Sequence, residues 1–364
     1  MIRMGQVTSC LRSAGGAFGT LWGCAPDKAV TGRDRYRPLR TKAAYTYTQV
    51  ETYDVPTSRL TRQLTSVLNA RDLAEACRSI APGRLIRSAC PVDASEEDVL
   101  IIREMLQVNR LIDLRSNYER KTDGIGHLIK HAEVVRMRKA APALQPRPGK
   151  RVSPDPRDAQ LVVHHLSLLE RSRYYGKFVM SLPFGTAARI VFWTVLLNQR
   201  RAISIAMTEI NKAGLPGLYS TILATAGPEI REALELLASA AEAGETTLFF
   251  CKIGKDRTGL LAAMVLTCCG ASVDEIVTDY ARSDDVGAVA LGGMEKEELK
   301  GLDVSVFSRA PPQALLATLE HLRETYGGTE EYLTHIGFGI EKQMRLAKSL
   351  QPTIAGQDAR IPVL

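Results

Sequence analysis

The chain has 364 residues, 45% of them hydrophobic and 24% charged, a balance ordinary for one large folded domain with extensions. Its formal charge of +7 is almost entirely local, because residues 1–43 hold eight cations against two acids. The rest is nearly neutral, which argues against a nucleic-acid partner, and no apolar run approaches the roughly 20 residues that cross a bilayer.

Residues 1–45 read as a disordered or targeting extension, basic and poor in acids like an organelle transit peptide. Translation from Met4 would make Met4-Gly5-Gln6-Val7-Thr8-Ser9-Cys10 a myristoylation signal. The domain is expected over 46–350, with 351–364 as a tail. A strand is expected near Leu85–Ala89, then a helix over Ser95–Gln107 opened by a capping box at Ser95 and Asp98, then strands over Arg110–Leu114 and Glu133–Met137. Ala141–Asp158 holds five prolines among basic residues and reads as a loop. Helical patterns follow over Ala159–Lys177, Ala187–Lys212, Gly217–Ala224 and Pro228–Ala243, so residues 136–213 form a loop and helical insertion. Within it, Ile190–Leu197 reads as a buried or lid helix, with peripheral contact at a membrane surface as the alternative. Thr246–Phe250 is a buried strand by its β-branched and aromatic content. Helices at Leu260–Cys269, Val273–Arg282, Pro312–Tyr326 and Thr329–Phe338 complete an α/β domain: a central sheet flanked by helices.

The chemistry concentrates in Cys251-Lys252-Ile253-Gly254-Lys255-Asp256-Arg257-Thr258-Gly259, a short loop between that strand and the next helix. Such a loop turns backbone N–H groups and a helix N-terminus toward one concavity, which binds a tetrahedral oxyanion. Gly254 allows the tight turn. Helix terminus and guanidinium together favour the Cys251 thiolate over the thiol. Arg257 offers a planar fork for two phosphoryl oxygens, and Thr258 a hydroxyl for the Cys251 sulfur. Lys255 is expected as a mobile cation at the mouth, suited to a second substrate phosphate. The proton donor is read as Asp113, which ends the strand Arg110–Leu114, with Asp256 as the alternative; their structural roles would be to anchor Arg115, and to pair with Lys255 or Arg87. Catalytic positions are therefore Cys251, Arg257, Asp113 and Asp256, and substrate-binding positions Lys252, Ile253, Gly254, Lys255, Thr258 and Gly259.

This loop resembles the CX5R signature of cysteine-dependent phosphatases. Its Gly-Lys-Asp-Arg-Thr-Gly form is similar to the atypical tyrosine and lipid phosphatases, among them bacterial secreted enzymes of triple specificity. Further blocks match in order: Asn69–Leu73, Pro82–Ala89, Leu111–Ser116 with Glu119, Ile276–Tyr280, and Tyr326–Gly328 with Tyr332-Leu333. The resemblance implies a cysteine-phosphatase-like fold with a helical lid, a phosphocysteine intermediate at Cys251, and a phosphorylated protein or phosphoinositide as substrate. Arg115 and Glu119 are read as supports. Phe250 departs from the wider pattern, where His is common before the cysteine, and a pseudophosphatase that binds phosphate without turnover is the alternative. Seven cysteines without a C-x-x-C pair or metal-ligand spacing point to a reducing compartment, cytoplasmic or organellar, with no metal and no cofactor.

Overall fold

In the computed structural model, the described residues are 63–124, 126–130, 133–136, 161–284, 286 and 301–352. The extension 1–45, the proline-rich run 141–158 and the tail beyond residue 352 lie outside them. The elements run β1 (Arg71–Asp72), β2 (Leu85–Ser88), α1 (Glu96–Leu100, continuing as a π-helical stretch over Ile101–Met105), β3 (Val108–Asp113), α2 (Asn117–Asp123), α3 (His127–Lys130), β4 (Glu133–Arg136) and β5 (Val162–His165). Then come α4 (Arg171–Ser181), α5 (Phe184–Val195), α6 (Gln199–Thr225), α7 (Gly227–Glu242), β6 (Thr246–Phe250), α8 (Asp256–Cys268) and α9 (Val273–Ala281). After these lie α10 (Val304–Phe307), α11 (Pro312–Tyr326), α12 (Thr329–His335) and α13 (Ile340–Leu350).

The strands form one sheet in the order β1-β2-β6-β3-β5-β4, in which every pairing is parallel except that of β1 with β2. Both faces are covered, as parallel sheets require. Alternation along β6 sends Phe249 into a large core with Leu85, Ile112, Leu234 and Leu261, under the C-terminal helices. Leu248 and Phe250 point the other way, against Ile86, Leu111, Val163 and the α3 residues Leu128 and Ile129.

Several sequence expectations change. The helix expected over Ala159–Lys177 is instead β5 followed by α4, because Val162–His165 hydrogen-bonds to β3 on one side and β4 on the other. Two adjacent valines suit that pleated, half-buried setting. The single helix over Ala187–Lys212 breaks at Leu197, where φ is +57°, and Asn198 caps the new start by accepting from the Arg201 N–H. α6 then kinks at Gly214 (φ +58°, ψ −159°), two residues before Pro216, whose missing donor costs little at the head of a fresh helical run. The capping box at Ser95 is half made: Ser95 Oγ accepts from the Asp98 N–H. The Asp98 carboxylate instead takes the N–H groups of Thr65, Ser66 and Val67. α13, beyond the last helix expected from the sequence, buries Gln343, Leu346 and Leu350 on one face.

Candidate active site

Phe250 pairs with Ser88 of β2 and Asp113 of β3, so Cys251 leaves the sheet at its carboxyl edge, between its central strands. Open α/β sheets bind ligands at that edge. α8 begins at Asp256, and the four residues between carry the loop. Its carbonyls are tied outward one after another: Lys252 O accepts from the Cys90 N–H at 3.2 Å, Ile253 O from Asn69 Nδ2 at 3.2 Å, and Gly254 O from Arg87 Nη2 at 2.9 Å. In a trans peptide the N–H opposes the C=O, so outward carbonyls turn the Ile253, Gly254 and Lys255 N–H groups inward. Gly254 is required twice over. Its φ is +73°, and a Cβ there would lie 2.4–2.5 Å from the backbone of Ser88 and Ala89.

The residues that hold the carbonyls are themselves locked. Asp279 of α9 sits buried between Arg71 and Arg87; it accepts from Arg71 Nε at 2.7 Å and is paired with Arg87 Nη1. Burial opposes its charge, yet the two guanidiniums hold its carboxyl down at about 2. Asn69, at φ +59°, also donates to Ser283 Oγ and accepts from Arg71. Gly259 packs at the head of α8, where a Cβ would come within 3.2 Å of Tyr280.

Arg257 is buried and engages Glu119 of α2 through two parallel contacts, Nη1 to Oε2 at 2.6 Å and Nη2 to Oε1 at 2.7 Å. Glu119 also closes a full capping box with Ser116, which fixes its rotamer. Burial works against the Glu119 charge, but the Arg257 guanidinium and the Ser116 hydrogen bonds pull its pKa down to about 2. Two of the five guanidinium donors are thereby used at the tip, which leaves the Nε edge for another acceptor. At the other end of α2, Asp123 pairs with Lys252 at 2.9 Å and with Arg115 at 3.1 Å.

Three expectations about site residues are corrected. Asp113 is fully buried, and Arg115 donates to both its oxygens, from Nε at 3.0 Å and Nη2 at 2.9 Å, as well as from its backbone N–H. His165 Nδ1 lies 3.3 Å from the same carboxylate. Burial raises the Asp113 pKa less than His165 and Arg115 lower it, so the group stays ionised and sealed, an anchor with no proton to give. Lys255 is not at the mouth: it is fully buried, and Nζ donates to the carbonyls of Phe307 at 2.9 Å and Arg309 at 2.7 Å, with Asp256 at 3.1 Å. The bond expected between Thr258 and the Cys251 sulfur is not made, and Thr258 Oγ1 is buried without a hydrogen-bond partner.

Asp256 remains partly open, with about a fifth of its side chain accessible, and its Oδ1 accepts from the Tyr219 hydroxyl at 2.6 Å. Tyr219 is paired in turn with the Tyr280 hydroxyl at 2.7 Å. Burial first, then Asp256 and Tyr280, push the Tyr219 pKa well up, so it stays a donor. Tyr219 carries no local signal in the chain, since it sits 37 residues before Asp256 inside an ordinary helical pattern. Phe250 places its ring in the core under the loop, 5.6 Å from the Arg115 guanidinium. The loop is organised by Asn69, Arg87 and Cys90 with no histidine at that position.

A buried cysteine and a clamped arginine stand at the two ends of one short loop at the carboxyl edge of the sheet, the arrangement of a cysteine-dependent phosphatase. The chain belongs to the tyrosine phosphatase family, whose pattern matches residues 62–351. Among curated relatives, it is 30% identical over 141 residues to a tyrosine-protein phosphatase of Nostoc commune, covering 35% of this chain and 46% of that protein. It is 44% identical over 55 residues to the triple specificity protein phosphatase PtpB of Mycobacterium tuberculosis, covering 15% and 20% respectively. The matched stretches thus span less than half the length of these relatives.

Proposed function

We propose that the chain hydrolyses phosphomonoesters through a phosphocysteine at Cys251. The observation that carries this reading is the clamped Arg257 at the end of a loop three of whose carbonyls are held outside it by Cys90, Asn69 and Arg87. The phosphoryl oxygens would take the inward N–H groups and the free Nε edge of Arg257, which follow charge as the group becomes planar. The Cys251 thiolate attacks phosphorus and forms the S–P bond, while the P–O bond to the leaving group breaks. Asp256 delivers the proton to the departing oxygen, since it is the loop carboxyl with open access. Water then attacks phosphorus, Asp256 takes a proton from it, the S–P bond breaks, and the thiolate is restored with inorganic phosphate released.

The relatives' names bring in phosphotyrosine as the first substrate to try. Phosphoinositide hydrolysis belongs to the same reading, but Lys255 gives it no support, because its ammonium is consumed by Phe307 and Arg309. Phosphate release from a phosphotyrosine peptide, beside a phosphoinositide panel, tests the proposal. Turnover of neither substrate, in a folded chain that still binds phosphate, would favour the pseudophosphatase instead.

A further inference from the structure

α5 is amphipathic in reverse. Ile190 is its buried residue, with Trp193 and Thr194 half-buried beside it, whereas Phe184, Val191 and Val195 are 89%, 53% and 72% exposed. Spacings of four, three and four place Phe184, Ala188, Val191 and Val195 on one stripe, and that stripe faces outward. Met180 at the end of α4, and Leu196 and Leu197 beyond α5, extend it at both ends, all of them largely exposed. Isolated exposed apolar residues are ordinary, but a continuous stripe of this kind marks an interaction surface.

The rim of the stripe is basic. Between Glu170 and Glu209 the chain has six cations and no acid. Arg189, Arg200 and Arg201 lie beside the stripe and are exposed, with Arg201 stacked 4.5 Å over the Trp193 ring. This composition decides among occupants. A second copy meeting the same face by two-fold symmetry would set basic rim against basic rim. An anionic bilayer satisfies both the stripe and the rim, in the way interfacial helices do. At 12 residues α5 is about 18 Å long, too short to span a bilayer, so it would lie in the interfacial plane. The segment that bears it begins against α2, where Arg171 of α4 stacks 3.8 Å over Tyr118, the neighbour of Glu119.

We propose that the outward face of α5 and its arginine rim dock the chain on the surface of an anionic lipid bilayer. The inference is independent of the proposed hydrolysis, because it is read as binding without turnover.

The test is sedimentation of the full chain with vesicles of phosphatidylcholine alone or mixed with phosphatidylserine. Binding is expected to the mixed vesicles, weaker to phosphatidylcholine alone, and to fall as salt rises. Phe184→Asp with Val195→Asp should weaken binding by on the order of tenfold or more. Arg189→Gln with Arg200→Gln should lose on the order of tenfold on mixed vesicles and little on phosphatidylcholine. Neither pair should change hydrolysis of a soluble aryl phosphate. Equal binding to both vesicle types, or full binding by both double variants, would overturn the proposal. A wild-type dimer that becomes monomeric with the aspartates, and shows no vesicle binding, would assign the face to a second copy and also overturn it.

Discussion

Glu119 grips Arg257 with both carboxylate oxygens while closing the capping box of its own helix, so one side chain joins the start of α2 to the start of α8 across the site. The two contacts fix the guanidinium plane. Replacing Glu119 by Gln should therefore lower kcat/KM by on the order of a hundredfold, through misplacement of Arg257. The pH dependence has a definite sign. The folded pKa of about 2 lies below the usual 4.5, so the pair stabilises the fold above pH 4.5 and that contribution disappears as pH falls toward 2. Its size is about 3 kcal/mol. Denaturant melts of wild type and Glu119→Gln should therefore converge at acid pH and separate above pH 4.5.

Asp256 and Asp113 are told apart by leaving-group dependence. Asp256→Asn should depress turnover roughly a hundredfold for alkyl or tyrosyl phosphates and only mildly for nitrophenyl phosphate, whose oxygen hardly needs a proton. Asp113→Asn should instead cost about 3 kcal/mol of stability, because Arg115 is left buried beside a neutral partner, with no change in the leaving-group slope. The reverse pattern across a series of substituted phenyl phosphates would return Asp113 to the chemistry.

Lys255→Met keeps most of the volume and removes the donor that holds Phe307 and Arg309. The buried Phe307 carbonyl and the partly buried Arg309 carbonyl would lose their partner, which should cost about 2 kcal/mol. Activity should fall in equal proportion on a phosphotyrosine peptide and on a polyphosphorylated inositide. A selective loss on the inositide, at one ionic strength, would place the ammonium in contact with substrate.

Gly254→Ala and Gly270→Ala separate backbone strain from collision. Both glycines have positive φ, +73° and +77°, but a Cβ at Gly270 meets nothing within 4 Å, whereas one at Gly254 strikes the Ser88 backbone. Gly270→Ala should cost about 1 kcal/mol and leave catalysis alone. Gly254→Ala should abolish hydrolysis, because either the loop or β2 must move; thermal melts beside assays of both variants check this.

Much of this architecture was legible in the sequence. The α/β layering, β6 and the loop follow from local signals, since Thr246–Phe250 is strongly strand-forming and the run from Cys251 to Gly259 is contiguous in the chain. β5 was not legible, because the run around Val162–His165 becomes a strand only through pairing with β3 and β4, which lie far away in sequence. The same holds for Tyr219, whose role is set by a contact across 37 residues, and for Asp279, which is recruited by two arginines some 200 positions earlier. Charge alone misled at Lys255 and Asp113. A lysine beside a candidate nucleophile and an aspartate at a strand end both look reactive by type, but the fold pairs them with two carbonyls and with Arg115.

The decisive experiment traps the covalent intermediate. Enzyme in excess of a fast-leaving aryl phosphate is quenched in denaturant within one turnover, digested, and the peptide containing Cys251 is weighed. A mass increase of one phosphoryl group on Cys251 is expected, formed with the burst of phenol, absent from Cys251→Ser and lost on longer incubation as phosphate appears. A burst without label on Cys251, label on another residue, or steady turnover by Cys251→Ser would contradict it.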